Sequence, residues 1–146
     1  MNVIIREAGK EDLSGILELY RQPDMDGGAL SVDEAETVFE KISSYPFYKI
    51  FVAVREIEIV GTIALAILDN LGNKGAPSGL IEDFVVKTQL QGNGIGRQLI
   101  LYAIDCCRQH HCYKVTLSSG LERLNAHYFY ESLGLKKYGY TFLTEL

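Results

Sequence analysis

The chain has 146 residues, 47% of them hydrophobic and 10% aromatic, which suits one domain spanning residues 1–146 around a single core and excludes a disordered chain. A formal net charge of −5 argues against a nucleic-acid partner, which would ask for a concentrated basic stripe. No apolar run approaches the ~18 residues of a membrane span, and Met1-Asn2-Val3-Ile4-Ile5-Arg6-Glu7 lacks the charged-then-apolar layout of a signal peptide, so a cytoplasmic protein with no membrane partner is expected.

In chain order, residues 3–6 read as a strand that turns out at Gly9 and Lys10. Leu13, Ile16, Leu17 and Tyr20 then recur at helical spacing. Residues 21–30, with Pro23, Gly27 and Gly28, read as a loop. Ser31 followed by Glu34 is a capping box that launches a second helix through about residue 42, and Pro46 ends that region. The apolar, β-branched runs 48–54 and 59–68 flank Arg55-Glu56-Ile57-Glu58 as a hairpin. Residues 69–79, dense in Asn, Gly and Pro, read as a flexible connection to a strand over 80–87 and an apolar-periodic helix from Ile95 to about His110. Then come a strand over 113–117, a short helix over 124–132, and strands over 135–138 and 140–145 broken at Gly139. The order is mixed α/β around one largely antiparallel sheet, without internal repeats.

The end of the third helix holds Cys106-Cys107-Arg108-Gln109-His110-His111-Cys112, with all three cysteines of the chain. An odd count fits a reducing compartment without a disulfide framework. Cys106 and His110 would share one helix face, and Cys107 and His111 another. There is no Cys-x-x-Cys pair, however, and adjacent ligands on a helix point about 100° apart. The cysteines therefore read as small buried hydrophobes at the end of a core helix, with histidines capping its C-terminal dipole, and no metal is expected.

The most informative stretch is Gln91-Gly92-Asn93-Gly94-Ile95-Gly96-Arg97, at a strand-to-helix junction. Glycine lacks a Cβ and accepts positive φ, so consecutive N–H groups can converge on one concavity, and the helix start adds free N–H groups and a positive dipole end. That combination is a phosphate cradle. A Walker A loop would need Lys-Ser/Thr after its last glycine, where this chain has Arg97-Gln98. A dinucleotide fingerprint needs Gly-x-Gly-x-x-Gly after a first strand, whereas this chain has Gly92-x-Gly94-x-Gly96 past its middle.

The pattern Gln-x-x-Gly-x-Gly resembles the pyrophosphate loop of the GCN5-related N-acetyltransferases (GNAT). Ile81-Glu82-Asp83-Phe84-Val85-Val86 is similar to the family's fourth strand, and Asn125-Ala126-His127-Tyr128-Phe129-Tyr130-Glu131-Ser132-Leu133-Gly134-Leu135 to its closing Asn…Phe-Tyr-Glu-x-x-Gly-Phe segment. The likeness is specific over 80–135, generic before it, and nearest in character to the glucosamine-6-phosphate and aminoalkylphosphonate acetyltransferases of the family. It implies a GNAT fold, with a mostly antiparallel sheet of about six to seven strands flanked by about four helices. It also implies acetyl-CoA as donor, a small-molecule primary amine as acceptor, and a homodimer as the usual state of relatives.

Residue by residue, the resemblance places the pyrophosphate on the backbone amides of Gln91, Gly92, Asn93, Gly94, Ile95, Gly96 and Arg97, whose side chain either adds charge or stays solvated. The backbones of Phe84, Val85 and Val86 would pair with the pantetheine arm, and a β-bulge would aim an N–H of Phe84 or Val85 at the thioester carbonyl. Tyr130 is the candidate general acid, since a phenol stays protonated at neutral pH and can donate to a stronger base. Glu82 is the candidate base; strand alternation sends Asp83 to the opposite face, where it is a weaker candidate for binding the substrate. Asn125 either contacts the cofactor or caps its short helix. Ser119 and Arg123 would shape the acceptor pocket, and an arginine there suits a phosphate, phosphonate or carboxylate. His127 reads as a surface residue and Phe129 as core. No cysteine lies on the matched catalytic elements, so transfer is expected to be direct, without an acyl-enzyme. Protein or peptide acetylation and a non-catalytic acyl-CoA-binding module are the rival readings.

Overall fold

A computed structural model describes residues 1–25 and 27–146; Asp26, within the stretch 21–30 read as a loop, lies outside the described residues. The chain divides into two compact units, Met1–Thr116 and Leu117–Leu146. In the first, β1 (Ile4–Glu7) leads to α1 (Leu13–Tyr20) and α2 (Val32–Ser43), then to the hairpin β2 (Tyr48–Arg55) and β3 (Glu58–Leu68). β4 (Ser78–Val86), α3 (Ile95–Gln109) and β5 (Lys114–Thr116) complete it. The sheet order is β1-β2-β3-β4-β5, antiparallel except for the parallel β4–β5 pair.

Local chemistry sets these elements where the sequence places them. Ser31 Oγ accepts from the Glu34 N–H at 3.2 Å while Glu34 Oε1 accepts from the Ser31 N–H at 3.1 Å, so the capping box holds both orphan donors at the start of α2. The hairpin closes through Glu56 and Ile57, with Arg55 paired to Glu58. Glu56 takes φ +59°, the left-handed turn geometry that matches strand twist.

Register divides the sheet into two covered faces. Ile50, Val52 and Val54 face α1 and pack with Ala8, Ile16 and Tyr20; Leu13, Leu17 and Ala35 join α1 to α2. On the other face Phe51, Ile63, Leu65 and Ile81 meet α3, whose Ile95, Leu99, Ile100, Ala103 and Cys107 are buried. A side chain at Gly79 would run into the Cys107 sulfur, so β4 carries no Cβ where the helix crosses it closely.

Asp12, 5% exposed, is held by Arg6 through two bonds of 2.6 and 2.9 Å and by the Gly9 N–H at 2.8 Å. Those donors, with Arg6 first, hold its carboxyl below the usual carboxylate range. A depressed folded-state pKa contributes stability that is complete above the unfolded value near 4 and is lost as pH falls below it. Asp12→Ala is expected to cost about 2–3 kcal/mol at pH 7, a difference that shrinks on acidification, measured by urea unfolding at pH 7 and pH 3.

The second unit holds α4 (Leu124–Ser132). Here the strands expected over 135–138 and 140–145 do not form, and the sheet has five strands rather than about six to seven. Tyr138, Tyr140 and Phe142 are 77%, 83% and 92% exposed. Their aromatic spacing carries the strand signature, but no ladder pairs these residues among those described, and β propensity without a paired neighbour makes no sheet.

Candidate active site

β4 leaves its neighbour early. Its ladder to β5 covers only Ser78, Gly79 and Leu80, opposite Lys114, Val115 and Thr116. Against β3, Thr62 pairs with Val85 and Ala64 with Glu82, so Asp83 and Phe84 together oppose Ile63. This is a β-bulge, and Asp83 takes φ +47°, the one non-glycine residue with positive φ inside a strand among the described residues. Val85 and Val86, 3% and 7% exposed, are buried and anchor the strand beyond the bulge in the core. The Val86 carbonyl accepts from the side-chain amides of Gln22 at 3.1 Å and Gln91 at 3.3 Å, and Gln22 Oε1 accepts from the Thr88 N–H at 3.0 Å. Nothing in the sequence of the 21–30 stretch singles out Gln22 for this bracing role.

Alternation along β4 implies that Glu82 and Asp83 face opposite ways, and the bulge overturns that. Glu82 shares the row Ile50–Ala64–Glu82 on the α1 face. The Asp83 charge acts on the phenols of Tyr20 and Tyr48, and both carboxylates act on Tyr48, so the two acids serve one side. Burial raises the carboxyls of both Asp83 and Glu82, and the Asp83 charge raises Glu82 further. Tyr20 and Tyr48 had no sequence signal as site residues: one closes a helix and the other opens a strand 28 positions later.

From β4 a short turn over Thr88–Leu90 enters the glycine loop. Gly92 and Gly94 have φ of +81° and +84°, and Gly94 caps α3 with no side-chain bond to the helix. A Cβ built at either position meets no protein atom within 4 Å and projects into open space, so the concavity can admit a pyrophosphate. Asn93 spends its amide on the carbonyls of Leu90 and Gln91, at 3.1 and 3.4 Å, and Gln91 on Val86, so these side chains shape the loop. The Gln91 N–H, expected to bind the pyrophosphate, donates instead to the Thr88 carbonyl at 3.3 Å, which leaves the amides from Gly92 onward for a ligand. Ile95, 1% exposed, anchors the first helical turn in the core. Gly96 follows it in that turn, and Arg97 lies exposed beyond, without an ion-pair partner among the described residues.

In the second unit, Arg123 is the N-cap of α4, so Asn125, exposed in the first turn, is not the cap. His127 bonds the Gly120 carbonyl through Nε2 at 2.7 Å and fixes the loop before the helix. Ser119 Oγ is buried and has no hydrogen-bond partner among the described residues. Phe129, expected as core, is only half-buried and lies 5.4 Å from the Tyr130 ring. Burial raises the Tyr130 phenol, and the Arg123 charge opposes part of that rise. At the end of α3, Cys107 is buried while Cys106 and Cys112 are half-exposed, and His110 Nδ1 bonds the Cys106 carbonyl at 2.8 Å, the capping role expected of it.

A bulged strand parting from its parallel neighbour and a glycine-capped helix beside it make a ligand cleft, and a family pattern covers both. A sequence model of the Acetyltransferase (GNAT) family matches residues 13–135. The chain belongs to the GNAT acetyltransferases. This GNAT chain is 28% identical over 124 residues to glucosamine 6-phosphate N-acetyltransferase of Arabidopsis thaliana, covering 83% of this chain and 80% of that one. It is 33% identical over 94 residues to aminoalkylphosphonate N-acetyltransferase of Salmonella typhimurium, covering 64% of this chain and 60% of its relative. Among solved structures, a putative acetyltransferase from Agrobacterium tumefaciens superposes with a TM-score of 0.92 at 34% identity, over 98% of this GNAT chain and 99% of that one.

Proposed function

We propose that residues 1–146 act as one N-acetyltransferase domain that moves an acetyl group from acetyl-CoA to the primary amine of a small molecule by direct transfer. The observation that carries this reading is the β4 bulge at Asp83–Phe84 beside the Gly94-capped start of α3, in a chain of this family. The backbone amides of 92–97 hold the pyrophosphate, and those of Phe84, Val85 and Val86 hold the pantetheine arm and polarise the acyl carbonyl. Acetyl-CoA supplies a thioester whose C–S bond breaks as the C–N bond to the amine forms. Glu82 takes the ammonium proton, and a raised pKa makes it a better acceptor than an ordinary glutamate. Tyr130, kept protonated by burial, supplies a proton to the departing thiolate. Asn125 contacts the cofactor, while Asp83, Ser119 and Arg123 face the acceptor. The likeness to enzymes named for amine-bearing phosphate and phosphonate substrates supports a small-molecule acceptor. A cytoplasmic location accords with this chemistry, and no helix among the described residues is long and apolar enough to cross a membrane.

Free-thiol release from acetyl-CoA across amino-sugar phosphates, aminoalkylphosphonates, alkyl- and arylalkylamines, polyamines and lysine peptides tests the reading. Release that depends on a small amine is the expected result; release only with peptides, or with no acceptor at all, would overturn it.

A further inference from the structure

The α1 face of the sheet carries a half-exposed strip beyond the rows that the helices cover. Two cross-strand rows run along it, Tyr48–Ala66–Leu80, half-exposed throughout, and Ile50–Ala64–Glu82, in which Ala64 is buried and Glu82 exposed. The α1–α2 pair packs over the neighbouring rows, leaving Tyr48, Ala66 and Leu80 half-exposed and Glu82 and Asp83 exposed. Next to Tyr48 opens a cavity of about 250 Å³ whose wall combines Phe39, Ile42, Tyr45 and Phe47 with Ser43 and the Glu7–Lys49 pair. The Tyr45 ring stands edge-on to Tyr48 at 5.7 Å.

Charge is distributed unevenly across this face. Several acidic groups elsewhere have cations: Glu7 has Lys49, Glu40 has Lys10, Glu18 has Arg21 and Glu58 has Lys87. The Lys49 on the cavity wall is thereby committed to Glu7. Glu82 and Asp83 have neither a cation nor a hydrogen-bond donor among the described residues, although both are partly desolvated and repel one another. The Tyr20 phenol, itself desolvated, feels the Asp83 charge. Adjacent carboxylates beside aromatic rings form a setting that a desolvated cation relieves twice, through ion pairing and through the ring quadrupoles. Asp83 is aimed there by a left-handed backbone that breaks strand alternation, a strained conformation held within a sheet.

Resting on the acetyl-transfer reading, we propose that Asp83 and Tyr48 determine acceptor specificity by holding the acceptor's ammonium group beside Glu82, and that the acceptor body is apolar, an alkyl or arylalkyl chain lying past Tyr48 into the cavity. Asp83 is a positioning residue: it supplies the counter-charge and leaves proton removal to Glu82. The two cross-strand rows carry no lysine or arginine and Lys49 on the cavity wall is paired with Glu7, so a phosphorylated amino sugar lying along them would bring an anion to a wall already carrying two carboxylates.

Asp83→Asn tests this with the backbone preserved, because asparagine tolerates the left-handed region at least as well as aspartate. With 2-phenylethylamine as acceptor, the variant is expected to raise KM about tenfold while kcat changes less than about threefold and CoA affinity stays constant. Tyr48→Leu, which keeps an apolar wall but removes the ring face, is expected to raise KM about fivefold. The unaltered enzyme should favour 2-phenylethylamine over glucosamine 6-phosphate by about tenfold or more in kcat/KM. Preference for glucosamine 6-phosphate, or an unchanged KM in Asp83→Asn, would overturn the proposal while leaving acetyl transfer intact. Calorimetry without turnover separates the two readings: 2-phenylethylamine binding that disappears in Asp83→Asn, with no thiol released, would refute acetyl transfer and support the cation site. Absence of both binding and turnover would refute the cation site.

Discussion

Glu82→Gln and Tyr130→Phe are each expected to lower kcat by about 10²–10⁴-fold while the CoA dissociation constant moves by less than about threefold. Both substitutions keep size and remove one proton-transfer function. Stopped or continuous thiol-release assays give kcat, and isothermal calorimetry gives CoA affinity. Unchanged turnover in both variants would remove both assignments and favour a non-catalytic acyl-CoA binder.

The pH profile adds a sign that a purely structural glutamate would not produce. Burial and the Asp83 charge raise the Glu82 carboxyl, so the acid limb of kcat/KM should lie above the range of an ordinary glutamate. Removing the neighbouring charge in Asp83→Asn should move that limb to lower pH, because one of the two causes of the rise is gone. In Glu82→Gln the limb should vanish rather than move. Tyr130 bears on the opposite end of the profile: burial raises its phenol, with Arg123 acting against it, so the acid form persists through neutral pH. Arg123→Gln should therefore shift the basic limb upward.

What was legible in the sequence followed short-range rules. Ser31 and Glu34 marked a helix start because a capping box needs only two residues three apart. Gly92 and Gly94 marked the cradle because only positive φ permits that turn, and both have it. The bulge at Asp83–Phe84 was expected from family likeness, yet its consequence was not: one inserted residue cancels the period of two, and Asp83 moves to the side of Glu82. Tyr20, Tyr48 and Gln22 remained hidden for another reason. Their roles arise from elements brought together across the sheet, and no local spacing encodes that meeting. The late strands failed in the opposite direction. Tyr138, Tyr140 and Phe142 have strand-like chemistry, but a ladder needs a second backbone as well as a suitable side chain.

Gly94→Val should weaken CoA binding by about 100-fold or more, and the reason can be separated from misfolding. The glycine sits at φ +84° as the cap of α3, a conformation that a β-branched residue reaches only at a cost of about 1–3 kcal/mol. Either the loop keeps its shape and places two methyl groups in the concavity, or it relaxes and turns its N–H groups away. Both routes remove the anion site. A Cβ at this position meets no protein atom, so core packing is untouched and the thermal midpoint should fall only by the backbone strain. Gly94→Asn distinguishes the two routes. Asparagine accepts left-handed geometry, so it preserves the loop yet still fills the cradle. Equal loss of CoA affinity in both variants would show that occupancy of the concavity matters, whereas near-normal affinity for Asn alone would assign the effect to backbone shape. Normal affinity in Gly94→Val would place the pyrophosphate somewhere other than this loop.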